Sequence, residues 1–210
     1  MFYIENNITY VFTSKGEKYT SNYNLKQVQE KLGSRAMMER LEQSERWQTT
    51  VTPDLAKFLQ ARTSIYLSTA SADGRPYMQH RGGPPCFIRI VDERTLEFDD
   101  YPGNRQYITL GNLAENDQVL IFAMDYEQKQ RIKLWGRAKL VDLPEPKKAF
   151  GATQVIRVLQ FEIEAWDVNC KSYLPDFYRR ETVELATKKM AARIAELETE
   201  VARLRDALKR

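Results

Sequence analysis

The chain has 210 residues, 42% of them hydrophobic and 29% charged, with a net charge of only +3. That length holds one packed domain with appendages or two small ones, and the near balance of charge leaves no whole-chain field to favour nucleic acid. Two cysteines, Cys86 and Cys170, and the single His80 are too few for a disulfide framework or a zinc site. No run approaches the roughly 18 apolar residues of a membrane span, so the expectation is a reduced, cytoplasmic protein with no membrane segment, no leader and no metal.

Residues 1–24 show no clear period, and "TSKGEKYTSN" (13–22) reads as a turn or loop. From Leu25 to about Arg46, apolar residues at helical spacing are interrupted by "GS" at 33 and 34, which predicts two short helices around Gly33. Thr52, Pro53 and Asp54 then form a start signal for a helix over "PDLAKFLQAR".

After that helix the texture changes to strands. "SIYLSTAS" and "PYMQHR", joined through Asp73-Gly74, form a hairpin pattern, and "CFIRIV" with "TLEF" forms a second. "YPGN" places Pro102 and Gly103 at the centre of a type II turn, and a short helix is predicted to begin near Asn104. Its free N–H groups, with Arg105 beside them, suit a phosphate; an ordinary strand, turn and helix with a surface Arg is the alternative. "QVLIFAMD", "QRIKLWGRAKLVD" and "VIRVLQFEIEAW" complete about seven strand segments between residues 64 and 168, with short connections that favour antiparallel pairing and barrel closure.

In the strand beginning at Arg131, odd positions are Arg131, Lys133, Trp135, Arg137 and Lys139, and even ones are Ile132, Leu134, Gly136, Ala138 and Leu140. The basic face is either simply solvated or part of an anion site shared with Arg105. From Val183 to Leu208 a heptad seam runs through Thr187, Met190, Ile194, Leu197, Val201 and Leu204. β-branched residues at one seam position and Leu at the other favour a parallel two-stranded coil, in which Arg193 faces Glu198 of a second chain and Glu200 faces Arg205. A lone amphipathic helix packed on its own chain is the alternative.

The run from "LSTASADGRPYMQHRGGPP" through "FDDYPGNRQYITLGNLAEN" to "QRIKLWGRAKLVD" resembles the FMN-binding split-barrel proteins related to pyridoxamine 5′-phosphate oxidase. The resemblance implies a mainly β fold, a six-stranded antiparallel split barrel over residues 53–178, with an N-terminal extension of short helices (1–52) and the heptad helix (179–210) as flanks. It implies a homodimer with FMN at the subunit interface. Asn104 and Arg105 become the phosphate pair, with Arg131 and Lys133 as basic partners; Gln79, His80, Arg81 and Gly82 run along the isoalloxazine edge; Asp100 and Tyr101 lead from ring to phosphate; Trp166 is an aromatic from the second subunit.

Departures from the family pattern bear on the reaction. The oxidase's C-terminal Arg–His pair is replaced by "NCKSYLPDFYRRETVELA", and a basic substrate-phosphate position by "GGPP" at 82–85. The function expected is therefore FMN-dependent redox of a small molecule other than pyridoxamine phosphate. The alternatives are a non-catalytic flavin carrier or sensor dimer, or the same barrel with haem or a deazaflavin. Cys86 is expected to be a buried small residue, and His80 a ring-edge or structural residue without a catalytic partner.

Overall fold

The structure, a computed structural model, describes residues 4–5, 8–9, 23–43, 47–149, 154–169 and 172–209; the loop predicted over 13–22 lies outside them. Strands β1 (Ile4–Glu5) and β2 (Ile8–Thr9) pair antiparallel. Helices α1 (Tyr23–Lys31) and α2 (Arg35–Gln43) meet at Gly33, where a φ of 74° suits a residue without a β-carbon. In α3 (Pro53–Gln60), Thr52 Oγ1 accepts the Leu55 N–H at 3.2 Å, and Pro53 occupies the first turn, where its missing N–H costs nothing.

The strands are β3 (Ser64–Ala70), β4 (Pro76–Gly82), β5 (Arg89–Ile90), β6 (Thr95–Asp99), β7 (Gln118–Asp125), β8 (Gln130–Lys148) and β9 (Gln154–Asn169). They form one sheet in the order β4-β3-β7-β8-β9-β6-β5. The mainly β, antiparallel architecture with helical flanks is the one expected, and it differs from six strands with barrel closure in two details. Arg89 and Ile90 add a seventh, two-residue strand against β6, and the described main-chain pairings leave the sheet open, with β4 and β5 at its ends. Side chains close the distance: Arg81 on β4 reaches Asp100, just past β6, at 3.0 Å.

The interior is built from alternate positions of these strands. β8 behaves as its pattern predicts, with Ile132, Leu134 and Ala138 buried and Arg137 and Lys139 exposed. The strand shifts register between Trp135 and Gly136. A β-carbon at Gly136 would lie 2.0 Å from the Glu162 carbonyl oxygen, so β9 crosses here only because residue 136 has no side chain. Helix α3 contributes Leu55, Phe58 and Leu59 to the same core, each burial worth about 1.5–3 kcal/mol. Beyond its end Arg62, itself buried, donates from Nε to the Phe58 carbonyl at 3.1 Å and from a terminal nitrogen to the Met124 carbonyl at 2.9 Å.

The chain divides into two compact units, one running to Met124 and again from Gln130 through β9, the other made of Asp125–Lys129 with the chain after β9. In the second, helix α5 (Arg180–Leu208) has no side-chain cap of its own. Glu127 supplies one, accepting the Arg179 N–H and the Thr182 hydroxyl, each at 2.9 Å. Those bonds hold its carboxyl below the ordinary range. No residue of α5 is buried, and no helix among the described residues is long and apolar enough to cross a membrane.

Candidate functional site

A narrow cleft, with a cavity volume of about 20 Å³, lies between β4, the chain after β6 and α4 (Ile108–Glu115). Strand alternation decides what β4 gives it. Gln79 and Arg81 share one face and line the cleft, whereas His80 projects from the other. There the His80 Nε2 lies 2.8 Å from Ser64 Oγ, and its ring sits where a β-carbon on Gly82 would collide, 2.9 Å from Cε1.

Arg81 is 8% exposed and Asp100 6%. One terminal nitrogen of Arg81 lies 3.0 Å from Asp100 Oδ1, and Arg157 Nε approaches Oδ2 at 3.5 Å. The Asp100 N–H also donates to the Arg157 carbonyl at 3.2 Å. This leaves one conspicuous orphan: the Arg81 Nε–H is buried with no hydrogen-bond partner, a state that costs about 1–3 kcal/mol or more for a charged group. A polar acceptor entering the cleft would remove that cost.

Main-chain groups add further donors. Gly83 N–H bonds to the Thr63 carbonyl, so Ser64 and Gly82 are a non-hydrogen-bonded pair, and the register alternates from there. The N–H and C=O of Met78, His80 and Gly82 therefore point away from β3, along the outer edge of the sheet.

The "YPGNR" loop differs from its prediction. Its turn is displaced by one residue, closed by the Arg105 N–H on the Pro102 carbonyl at 3.0 Å with Gly103 at a φ of 48°. The helix starts at Ile108 rather than near Asn104. Arg105 and Tyr107 have φ of 61° and 53°, which a right-handed helix cannot include, and Asn104 Oδ1 takes the Gln106 N–H at 3.1 Å. Asn104 still lines the cleft, as does the first turn of α4, which has no side-chain cap and no acidic residue. Its leading N–H groups lack intrahelical acceptors. Thr109, buried there, donates to Gln79 Oε1 at 2.9 Å. Burial and the Asp99 charge raise the Tyr101 pKa, so its phenol stays neutral beside the cleft.

The cleft thus gathers Gln79, Arg81, Asp100, Tyr101 and Asn104. His80, Gly82 and Arg105 are neighbours in sequence that do not line it, and neither does any residue of β8, Arg131 and Lys133 included. Trp166, 7% exposed, is turned into its own core: its ring N–H donates to the Thr50 carbonyl at 2.8 Å, and its main chain pairs with Gln48. Cys86, expected to be buried, is exposed at a φ of 67°, with its N–H donating to the Gln60 carbonyl at 2.7 Å. Among the described residues no group of His, Cys, Asp and Glu is placed to hold a metal. Sequence reading missed Arg157 and Thr109. The signal for Arg157 was a lone cation in the apolar run "VIRVLQF"; Thr109 carried none.

An orphaned guanidinium N–H and an uncapped helix start line this cleft, and an unpaired strand edge runs beside it; donors of this kind suit an anionic or carbonyl-bearing ligand. Residues 51–177, more than half of the chain, match the family model described as pyridoxamine 5′-phosphate oxidase. No curated protein matches. Among solved structures the chain is similar to HupZ of Group A Streptococcus, at 20% identity over 55% of this chain and 91% of that one, with a TM-score of 0.44. A Clostridium acetobutylicum protein related to general stress protein 26 gives 10% identity, 62% and 94% coverage and a TM-score of 0.40. HutZ of Vibrio cholerae, a heme storage protein, gives 18% identity, 53% and 87% coverage and a TM-score of 0.37.

Proposed function

The chain belongs to the pyridoxamine 5′-phosphate oxidase family, and on that premise we propose that it is an FMN-binding oxidoreductase for a small redox substrate, active as a homodimer with flavin at the subunit interface. The observation that carries the reading is Arg81: a buried cation fixed by Asp100, with one N–H left without a partner beside the cleft. FMN, when bound, supplies reversible storage of two electrons.

The residues present have distinct tasks in this reading. Arg81 donates its Nε–H to a carbonyl or ring nitrogen and places positive charge where reduction adds negative charge, while Asp100 and Arg157 keep the guanidinium from turning. The outward N–H groups of His80 and Gly82 bond the polar edge of the ring. Asn104, Arg105 and the first turn of α4 bind phosphate through charge-assisted and main-chain donors. Arg131 and Lys133, on the outward face of β8, serve the site only across a subunit boundary. A stacking role for Trp166 is not part of the proposal, because its ring is spent within its own core. Pyridoxamine phosphate is not the substrate proposed, since "GGPP" occupies the position of the family's basic substrate-phosphate residue.

The test is an absorption spectrum of the purified protein before and after heat release of bound ligand, followed by FMN titration of wild type, Arg81→Met and Arg105→Ala. Flavin bands near about 375 and 450 nm are expected, with affinity falling at least about tenfold in each variant, the loss of one charged hydrogen bond. A colourless protein that takes up no FMN overturns the reading. A Soret band or selective uptake of a deazaflavin overturns the FMN assignment while leaving the cleft as the site.

A further inference from the structure

Helix α5 is 29 residues long, about 43 Å at 1.5 Å per residue, and among the described residues the contacts that hold it gather at its beginning. Besides the Glu127 cap, Lys129 pairs with Asp176 at 2.7 Å, and the Tyr126 and Phe177 rings lie 5.0 Å apart. Beyond that clasp a narrow apolar seam stands exposed: Val183, Met190, Ile194, Leu197, Val201, Leu204 and Leu208 are 44% to 87% accessible. A helix this long, with an uncovered seam and a polar remainder, needs a partner of its own shape.

We propose that the occupant is α5 of a second copy of this chain, forming a parallel two-stranded coiled coil. The spacing of the seam alternates between three and four residues, the two-sevenths stripe of a coil. Thr187, Ile194, Val201 and Leu208 take the a positions, and Val183, Met190, Leu197 and Leu204 the d positions. β-branched a with Leu d selects the parallel dimer. The flanking charges complement themselves: Arg193 and Glu200 fall at g, Glu198 and Arg205 at e, so each g residue meets an opposite charge on the second chain. In the single chain Arg193 pairs with Glu196 at 2.9 Å and Arg203 with Glu200 at 2.7 Å. These are exposed intrahelical pairs, weak enough to exchange partners. A membrane-lying helix carries a cationic polar face, whereas α5 has six acidic and six basic residues. The proposal stands on α5 alone and does not depend on flavin binding.

Oligomeric mass does not test it if the strand-rich unit also dimerises, so the experiment is site-directed cross-linking of the full chain. Leu204→Cys at d and Asp206→Cys on the outer face, with wild type beside them, are equilibrated in glutathione buffer and run on non-reducing gels. Leu204→Cys is expected to give at least about tenfold more reducible dimer than Asp206→Cys. Equal cross-linking at both positions, or none at 204, overturns the proposal. Direction is read in the Leu204→Cys chain by charge. Glu198→Arg should lower the dimer yield, and adding Arg193→Glu should restore it, because parallel helices bring these two positions together. In an antiparallel pair e faces e and g faces g, so the double change sets like charges opposite Arg205 and Glu200, and a further loss there overturns the parallel arrangement. All these positions are exposed on the single helix, and unchanged helicity by circular dichroism confirms folding.

Discussion

Asp100 holds two guanidinium groups in a buried site, and removing it should cost more than removing either partner. Its oxygens lie 3.0 Å from Arg81 and 3.5 Å from Arg157, each attraction about 5 kcal/mol at an effective dielectric of 20 before desolvation is subtracted. Asp100→Asn keeps the shape and removes the charge, leaving two cations facing each other with Arg81 only 8% exposed. Loss of one partner from a buried pair costs about 3–5 kcal/mol. Arg81→Met is milder, at about 1–3 kcal/mol, because Arg157 still neutralises Asp100 and the orphaned Nε–H disappears with the side chain. Urea unfolding followed by tryptophan fluorescence reads this directly, since Trp47, Trp135 and Trp166 all lie in the strand-rich unit. With a slope of about 2 kcal/mol/M, the midpoint should fall by about 1.5–2.5 M in Asp100→Asn and about half that in Arg81→Met. An Asp100→Asn protein as stable as wild type, or more stable than Arg81→Met, refutes the assignment of Asp100 as the shared counter-ion.

Two glycines should respond in opposite directions. Gly136→Ala forces a β-carbon to 2.0 Å from the Glu162 carbonyl oxygen and 2.8 Å from the Phe161 ring, and should cost at least about 3 kcal/mol or abolish soluble expression. Gly111→Ala, in α4 with nothing within 4 Å, should gain about 0.5–1 kcal/mol; thermal melts of the two check both signs. Burial raises the Glu97 pKa, but hydrogen bonds from Gln160 and Arg89 outweigh it and leave the carboxyl below its ordinary value. A depressed carboxylate stabilises the fold above its unfolded pKa of about 4.3 and loses that contribution as pH falls through the lower folded value. Glu97→Gln should therefore flatten the decline of melting temperature below about pH 4.5, and an unchanged decline would show that Glu97 is not a linked group. His80→Phe should leave FMN affinity within about threefold, because the side chain faces away from the cleft; a tenfold loss would place the imidazole in the site.

The strands were legible because period two is visible wherever one face is buried. "SIYLSTA", "TLEFD" and "QRIKLWGRAKL" alternate in sequence and alternate in burial. The start of α3 was legible for the same kind of local reason, since Thr52 and Pro53 act within one turn. The open strand order was not, because closure depends on how far a seven-stranded sheet coils, which is a sum over all its pairings. The start of α4 was misplaced because "NR" reads as ordinary helix-compatible sequence, while the chain in fact passes through left-handed geometry at Arg105 and Tyr107.

That left-handed passage also explains why the site was only half legible. Residues adjacent in sequence were assigned to one site together, but a strand sends neighbours to opposite faces, and a left-handed residue re-aims its side chain. By the first rule the Arg81 side chain lines the cleft and the His80 side chain does not; by the second, Asn104 lines it and the left-handed Arg105 does not. What holds Arg81 in place came from further away. Asp100 follows β6 and Arg157 lies on β9, so the buried cation depends on three strands whose meeting no local pattern announces. A charge at a strand end facing a cleft is then doubly constrained: the fold must neutralise it without consuming its last N–H. Arg81 meets both conditions through Asp100, which binds a terminal nitrogen and leaves Nε unpartnered.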